Sequence, residues 1–343
     1  MNKILLAFIF YVVAAASFNG FFQNWAALNR DTHIFEDMYE GTVKRPFVYR
    51  RLLIEITQKI DNATPENLKA VFVEKMQVPH DKIFPKVNIE EKYIFPYLVI
   101  CTITFLNFFL ALIILRKICF EVTKSKIAAT ASACIFILIF PLLETVGGFF
   151  YDLTELIFFS TAALLAYRGN FWALILIAPI AEYNKESFLF FLATLFPLLA
   201  AKIGNKKAFF STATAIILSG CVYLYLKSLY VENPGGAVEM HLPDHIDFFF
   251  ENWFYLYPHY GVLFGIQTFL PHILLVAWLI KCTWKKLSAE WKNHLKIAAA
   301  INIPLYMLFC WPGELRNLSM LYIGFVIILS IFIKEAIANE RKE

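Results

Sequence analysis

The sequence predicts an all-α polytopic membrane protein with about ten transmembrane helices, organised as one integral-membrane domain over residues 1–343. Three observations predict it. Apolar residues make up 59% of the chain and charged residues only 17%, against about 25% charged in an average soluble domain. Phe alone occurs 36 times, which is more apolar surface than a single soluble core can hide. The apolar residues also gather into runs close to the roughly 20 residues that a spanning helix needs. Together these exclude a soluble enzyme, a nucleic-acid-binding protein, a disordered chain and a secreted disulfide scaffold.

The runs at 4–22, 93–115, 127–143, 211–226, 262–280, 297–310 and 318–333 read as spans. Three shorter runs, 153–167, 171–181 and 188–201, read as short, tilted or broken spans. Alternation from a cytoplasmic N-terminus puts both termini inside. The inside pieces then hold 17 Lys/Arg and 5 Asp/Glu, and the short outside pieces hold 3 and 11. The first loop, 23–92, holds 11 of each, so the parts return the net charge of +4. Excess Lys/Arg in short cytoplasmic loops is what sets orientation, so the polar chemistry is expected on the outer face of a bacterial plasma membrane. Cys101, Cys134, Cys221 and Cys310 fall in the spans, and Cys119 and Cys282 in inside loops. No disulfide framework is therefore expected outside. Residues 1–17, with Lys3 before an apolar run and Ala14-Ala15-Ala16-Ser17 after it, also match the pattern of a cleavable signal peptide.

The extracytoplasmic loop 23–92 is far longer than a connector needs. Two amphipathic helices are expected within it, lying flat at the membrane interface. One covers 47–60, with a stripe of Val48, Leu52, Leu53, Ile56 and Ile60. The other starts with Thr64 as N-cap, Pro65 at the first helical position and Glu66 in the first turn, with Leu68, Val71, Phe72 and Met76 on one face. Before them, Asp31, Glu36 and Asp37 form an acidic cluster that can accept a proton or hold a divalent cation. Arg45-Pro46-Phe47-Val48-Tyr49-Arg50-Arg51 follows, and guanidinium forks suit phosphate oxygens. Glu144 and Tyr151-Asp152-Leu153-Thr154-Glu155, the break Glu182-Tyr183-Asn184-Lys185-Glu186-Ser187, and the turn Gly313-Glu314-Leu315-Arg316-Asn317 place further charges at outer helix ends. Charges at such depth are costly and tend to face a cavity. The second long loop, 229–260, reads as an aromatic, interface-seated lid. His241 and His245 there have the i, i+4 spacing of a metal pair, but Pro243 argues against a regular helix and no third ligand is indicated, so no metal site is assigned.

In architecture the whole chain resembles the GT-C superfamily of integral-membrane glycosyltransferases. More closely, it is similar to a set of uncharacterised bacterial multi-pass proteins. They share an acidic stretch, a box like Arg45-Pro46-Phe47-Val48-Tyr49-Arg50, a Tyr151-Asp152 helix start, an Asn184-Lys185-Glu186 break and a Glu314-x-Arg316-Asn317 turn. The resemblance implies transfer of a sugar from a polyprenyl-phosphate donor to a lipid-linked glycan or protein acceptor, usually with inversion. Asp31, Glu36 and Asp37 would supply the catalytic carboxylate. Arg45, Tyr49, Arg50, Asp152, Lys185, Glu186, Glu314 and Arg316 would form the donor site. A magnesium or manganese ion is left open as cofactor, with the donor, the acceptor and membrane lipid as partners. The chain departs from larger members in having no sizeable soluble C-terminal domain. Its acidic site reads Glu36-Asp37-x-Tyr39 rather than Asp-Glu, which leaves the identity of the base open. An O-antigen-type polymerase would be expected to carry arginine-rich outer loops, yet only Arg316 stands in a late one. A membrane acyltransferase would carry His and Arg at the start of the first span. A transporter would show an internal repeat and mid-span charges, and neither is visible.

Overall fold

The computed structural model describes residues 3–28, 33–83, 89–144, 148–236, 239–251, 258–259, 262–263 and 269–340. In chain order these form α1 (Lys3–Leu28), α2 (Ile34–Glu40), α3 (Leu52–Ala63), α4 (Glu66–Ile83), α5 (Ile94–Thr123), α6 (Lys126–Leu143), α7 (Phe150–Arg168) and α8 (Phe171–Asn184). After them come α9 (Phe188–Thr194), α10 (Phe196–Ile203), α11 (Asn205–Leu229), α12 (Leu242–Glu251), α13 (Phe269–Thr283), α14 (Ala289–Phe309) and α15 (Ser319–Glu340). Six stretches within the described residues are long and apolar enough to cross a membrane: Lys3–Gln23, Glu91–Thr123, Lys126–Leu143, Phe150–Arg168, Asn205–Leu229 and Leu315–Glu340. The chain is thus an all-α integral membrane protein. Its outer surface agrees: Ile4, Phe8, Leu106, Ile113, Leu176, Ile217 and Leu274 are exposed along successive helices. Apolar surface on this scale is stable in lipid and not in water.

Helix α7 is the most enclosed of the six. It packs against α5, α8, α10 and α15. Ser160, Ala162, Ala163 and Ala166 are buried on it, and small side chains of this kind let neighbouring backbones approach closely. Aromatic rings fill the wider gaps. Phe136 and Phe140 meet Tyr322 at 5.5 and 6.4 Å between α6 and α15. Phe159 stacks on Phe191 at 4.0 Å between α7 and α9. α1 lies outside α5 and α6, while α8 and α11 pair on the far side of α7.

Several expected elements have different boundaries, and α5 runs on to Thr123 while α14 starts as early as Ala289. The run 188–201 is two helices, parted at Leu195. Pro197 has no N–H for a helical bond, and its ring crowds the carbonyl four residues back. Val262–Leu263 is not the start of a span but pairs antiparallel with Pro258–His259, and α13 begins at Phe269; Gly265 within that run disfavours helix. Helix α3 begins at Leu52 rather than 47, after a 3-10 turn at Phe47–Tyr49. Its buried face is Leu53, Ile54 and Thr57, turned to α5 and α8, whereas Ile56 and Ile60 of the expected stripe are exposed. Thr64 does not act as a side-chain cap for α4: its hydroxyl donates back to Ile60 O at 2.6 Å.

Candidate functional site

The ends of α7, α8 and α15 and the segment before α3 meet in one buried cluster of charges. It starts at α7. The Asp152 carboxylate, in the first turn, accepts from the Phe149 N–H at 2.8 Å, where the helix dipole also favours an anion. Glu155 is one turn on, so both carboxylates point the same way. Lys185 interrupts α8 with an extended backbone. Its Nζ donates to Asp152 Oδ1 at 2.7 Å and to Glu155 Oε2 at 2.8 Å. Ser187 and Ser319 hydroxyls both donate to Glu155 Oε1. All three members of the Lys185 pairings are almost fully buried, at 4, 2 and 2% exposure.

The helix break around Lys185 is held by its own side chains. Glu182 Oε2 accepts from the Leu189 N–H at 2.8 Å, which caps the start of α9. Asn184 Nδ2 donates to Tyr151 O at 3.0 Å. Broken helices inside a membrane protein are tolerated when the freed backbone groups find partners in this way.

Two arginines close the cluster. Arg50 donates from Nε and Nη2 to Glu186 at 3.1 and 2.6 Å, a two-point ion pair, and from Nη1 to the Tyr151 hydroxyl. Its guanidinium lies 4.7 Å from the Tyr151 ring centre and 5.0 Å from that of Phe47. Burial works against the Arg50 charge, yet Glu186 and Tyr151 raise its pKa well above the ordinary value. For Glu186 burial pushes upward, and Arg50 outweighs it, so the carboxyl titrates below its usual range.

Arg316 is held more loosely. It stands in a 3-10 turn (Leu315–Leu318) ahead of α15. That turn is fixed by Gly313 at φ +89°, by Tyr322 donating to Leu315 O at 2.8 Å and by Asn302 donating to Asn317 O at 2.7 Å. Yet Arg316 reaches Asp152 only at 3.4 Å and Glu314 only at 3.5 Å, at or beyond the edge of good hydrogen-bond geometry. Its Nε has no partner among the described residues, although the residue is only 5% exposed. Glu144, 1% exposed, lies beside Asp152, and its Oε2 also lacks a partner among the described residues. Burial and the Asp152 charge push its carboxyl well above the usual range.

Arg50, Asp152, Lys185, Glu186, Glu314 and Arg316 therefore belong to a single network. The other expected site residues that are described lie apart from it. Arg45 is tied to the turn at 234–235: its N–H donates to Pro234 O and its guanidinium to Gly235 O. Tyr49 is buried edge-on against Tyr223. Glu36 is buried beside His33 at 3.3 Å, and Asp37 is exposed with Thr42 as neighbour. Among the described residues no ion pair joins either to Arg50, Lys185 or Arg316; Asp31 lies outside the described residues. The short helix α2 that carries Glu36 and Asp37 is nonetheless anchored to the segment bearing Arg50, since Arg51 Nη1 donates to Met38 O at 2.7 Å.

Glu144, Phe149, Tyr151, Glu155, Ser187 and Ser319 complete the cluster. Glu144, Tyr151, Glu155 and Ser187 stand in the polar breaks visible in the sequence, with Glu155 marked also by its spacing, three residues after Asp152; Ser319 does not stand in one. Phe149 stacks on Tyr151 at 5.0 Å and backs Arg316 at 5.5 Å; nothing in its sequence context marks it. In the second long loop α12 does form, with Pro243 in its first turn, where proline is tolerated. His241 Nδ1 contacts Asp244 at 2.7 Å and His245 Nε2 contacts Cys310 O at 2.9 Å, so the two imidazoles engage separate partners. No group of three or more metal-ligand side chains occurs among the described residues. No protein-family model, curated protein or solved structure matches the chain.

Proposed function

We propose that the protein is a membrane-embedded glycosyltransferase of the GT-C kind, taking a sugar from a polyprenyl-phosphate donor and passing it to a lipid-linked glycan or protein acceptor on the extracytoplasmic face of a bacterial plasma membrane. One observation carries this. Four polar motifs far apart in sequence converge on one buried cluster, in which Arg316 keeps an unused guanidinium N–H. A desolvated cation with spare donors is suited to a phosphate, whose oxygens match the guanidinium fork. Arg316 would hold the carrier phosphate and stabilise the charge that grows on it as the sugar departs. Lys185 and Arg50, already engaged by carboxylates, would set the position of Asp152 and Tyr151 around it. Asp37, exposed and free of cationic partners among the described residues, is the favoured base for the acceptor hydroxyl. Asp31 and Glu36 complete that acidic group, and a divalent cation would be held there if the reaction uses one. In this reading the short helices α8, α9 with α10, α13 and α14 join the six long ones to give about ten spans. Both termini are inside, and α3 and α4 lie at the outer interface.

The test is transfer of a labelled sugar from a polyprenyl-phosphate donor by the purified protein in liposomes, with polyprenyl-phosphate affinity measured in parallel. Arg316→Gln is expected to weaken carrier binding by about 1.5–3 kcal/mol, the range for a charge-assisted hydrogen bond. Asp37→Asn is expected to cut turnover by about 10²-fold with binding unchanged. Carrier affinity untouched by Arg316→Gln, together with full turnover in Asp31→Asn and Asp37→Asn, would overturn the proposal. Movement of the intact lipid across the bilayer without bond cleavage would favour a transporter instead.

A further inference from the structure

At the opposite end of α8 from Lys185 lies a second feature, which the transferase reading leaves unused. Fourteen residues of helix, about 20 Å, separate the two. An open surface groove of about 810 Å³ runs between the start of α8 and the first turns of α11. Phe171, Ile175 and Phe210 form much of its apolar wall, and Lys206 and Lys207 stand at its rim. No carboxylate lines it, and neither lysine has an acidic partner among the described residues. Lys207 Nζ sits 4.3 Å from the Phe171 ring centre, so the charge is drawn over the groove.

We propose that this groove binds an anionic phospholipid, with an acyl chain along the aromatic wall and the headgroup phosphate on Lys206 and Lys207. The occupant follows from the two ends of the groove. Its wall is apolar and lengthwise between two helices, which suits a hydrocarbon chain. Among the described residues its only charged lining ones are the two lysines, beside neutral Asn205, which suits a phosphate and not a zwitterion or a peptide of mixed charge. Trp172, Phe209 and Phe210 are 67, 61 and 59% exposed around it, and exposed aromatics of this kind collect at the headgroup level. The turn before α8 is close-packed on the end of α10: a side chain at Gly169, where φ is +76°, would meet Lys202 Cβ at 2.9 Å. A lipid seated here would brace α8 against α11.

The full chain, delipidated in mild detergent, is titrated with phosphatidylglycerol and with phosphatidylcholine of the same acyl chains, and bound lipid is read by native mass spectrometry. Phosphatidylglycerol is expected to bind about tenfold more tightly. Lys206→Gln and Lys207→Gln, both at exposed positions, are each expected to weaken it about fivefold and to leave phosphatidylcholine unchanged. Ile175→Trp, which narrows the groove, should weaken both lipids. Glycerol phosphate, a headgroup without chains, should fail to compete. Equal binding of the two lipids, indifference to both lysine changes, or full competition by glycerol phosphate would overturn the proposal. So would a dimer in detergent that Ile175→Trp dissolves, because the groove would then belong to a second copy of the chain.

Discussion

Lys185 and Arg316 carry the same charge in the same cluster, and the structure gives them different prospects. Lys185 Nζ is shared between Asp152 and Glu155 at 2.7 and 2.8 Å in a nearly water-free setting. Removing one side of a buried ion pair leaves an uncompensated charge, a loss of about 3–5 kcal/mol. Lys185→Met is therefore expected to destabilise the protein by that amount in reversible unfolding from detergent. Adding Asp152→Asn should recover part of the loss, since paired sites couple by about 0.5–3 kcal/mol. Arg316, with contacts of 3.4 and 3.5 Å, should cost less as Arg316→Gln, about 1–2 kcal/mol. Equal losses for the two variants would contradict the distinction. Sequence alone marks both residues as unusual cations at helix ends. It cannot rank them, because the ranking turns on distances to Asp152 and Glu155, which lie 30 or more positions away in the chain.

At the scale of elements, α3 shows where local pattern and tertiary packing part. The apolar stripe predicts a helix from 47 onward, but Phe47 packs on Phe149 at 5.2 Å, and Arg50 is taken up by the ring of Tyr151 and the carboxylate of Glu186. Those long-range contacts hold the segment in a turn and delay the helix to Leu52. Arg51 then links three pieces: its N–H donates to Tyr183 O at 3.1 Å, Nη1 to Met38 O at 2.7 Å and Nη2 to Gln58 at 3.4 Å. Arg51→Ala keeps the backbone bond and loses the side-chain ones. It should raise amide exchange across α2 and α3 while α5 and α7 keep their protection; unchanged exchange in α2 would show that Arg51 does not anchor it. The break at Lys185 was legible, because Asn184-Lys185-Glu186 interrupts an apolar run. What holds that break open was not, since Glu182 reaches past it to cap α9.

For the whole molecule, the division of Lys/Arg and Asp/Glu between alternate loops predicts a topology that can be tested directly. Asn62, Ser288 and the native Cys282 are all exposed. With the exposed Cys221 replaced by Ser, Asn62→Cys is expected to react with an impermeant thiol reagent on whole cells, and Cys282 and Ser288→Cys only after the membrane is opened. Labelling of position 288 but not 62 would reverse the orientation and remove the chemistry from the outer face. The class of the molecule, an α-helical chain immersed in lipid, was determined by the sequence by itself. Hydropathy adds up residue by residue, and a run of about 20 apolar residues has few other stable outcomes. Only the tertiary structure decided that Arg50, Asp152, Lys185 and Arg316 share one cluster while Arg45, Tyr49, Glu36 and Asp37 stand outside it. The physical reason is that burying a charge among helices is stable only where a partner of opposite sign arrives from another helix. Which partner arrives is a property of how the helices pack, and no single stretch of the chain contains it.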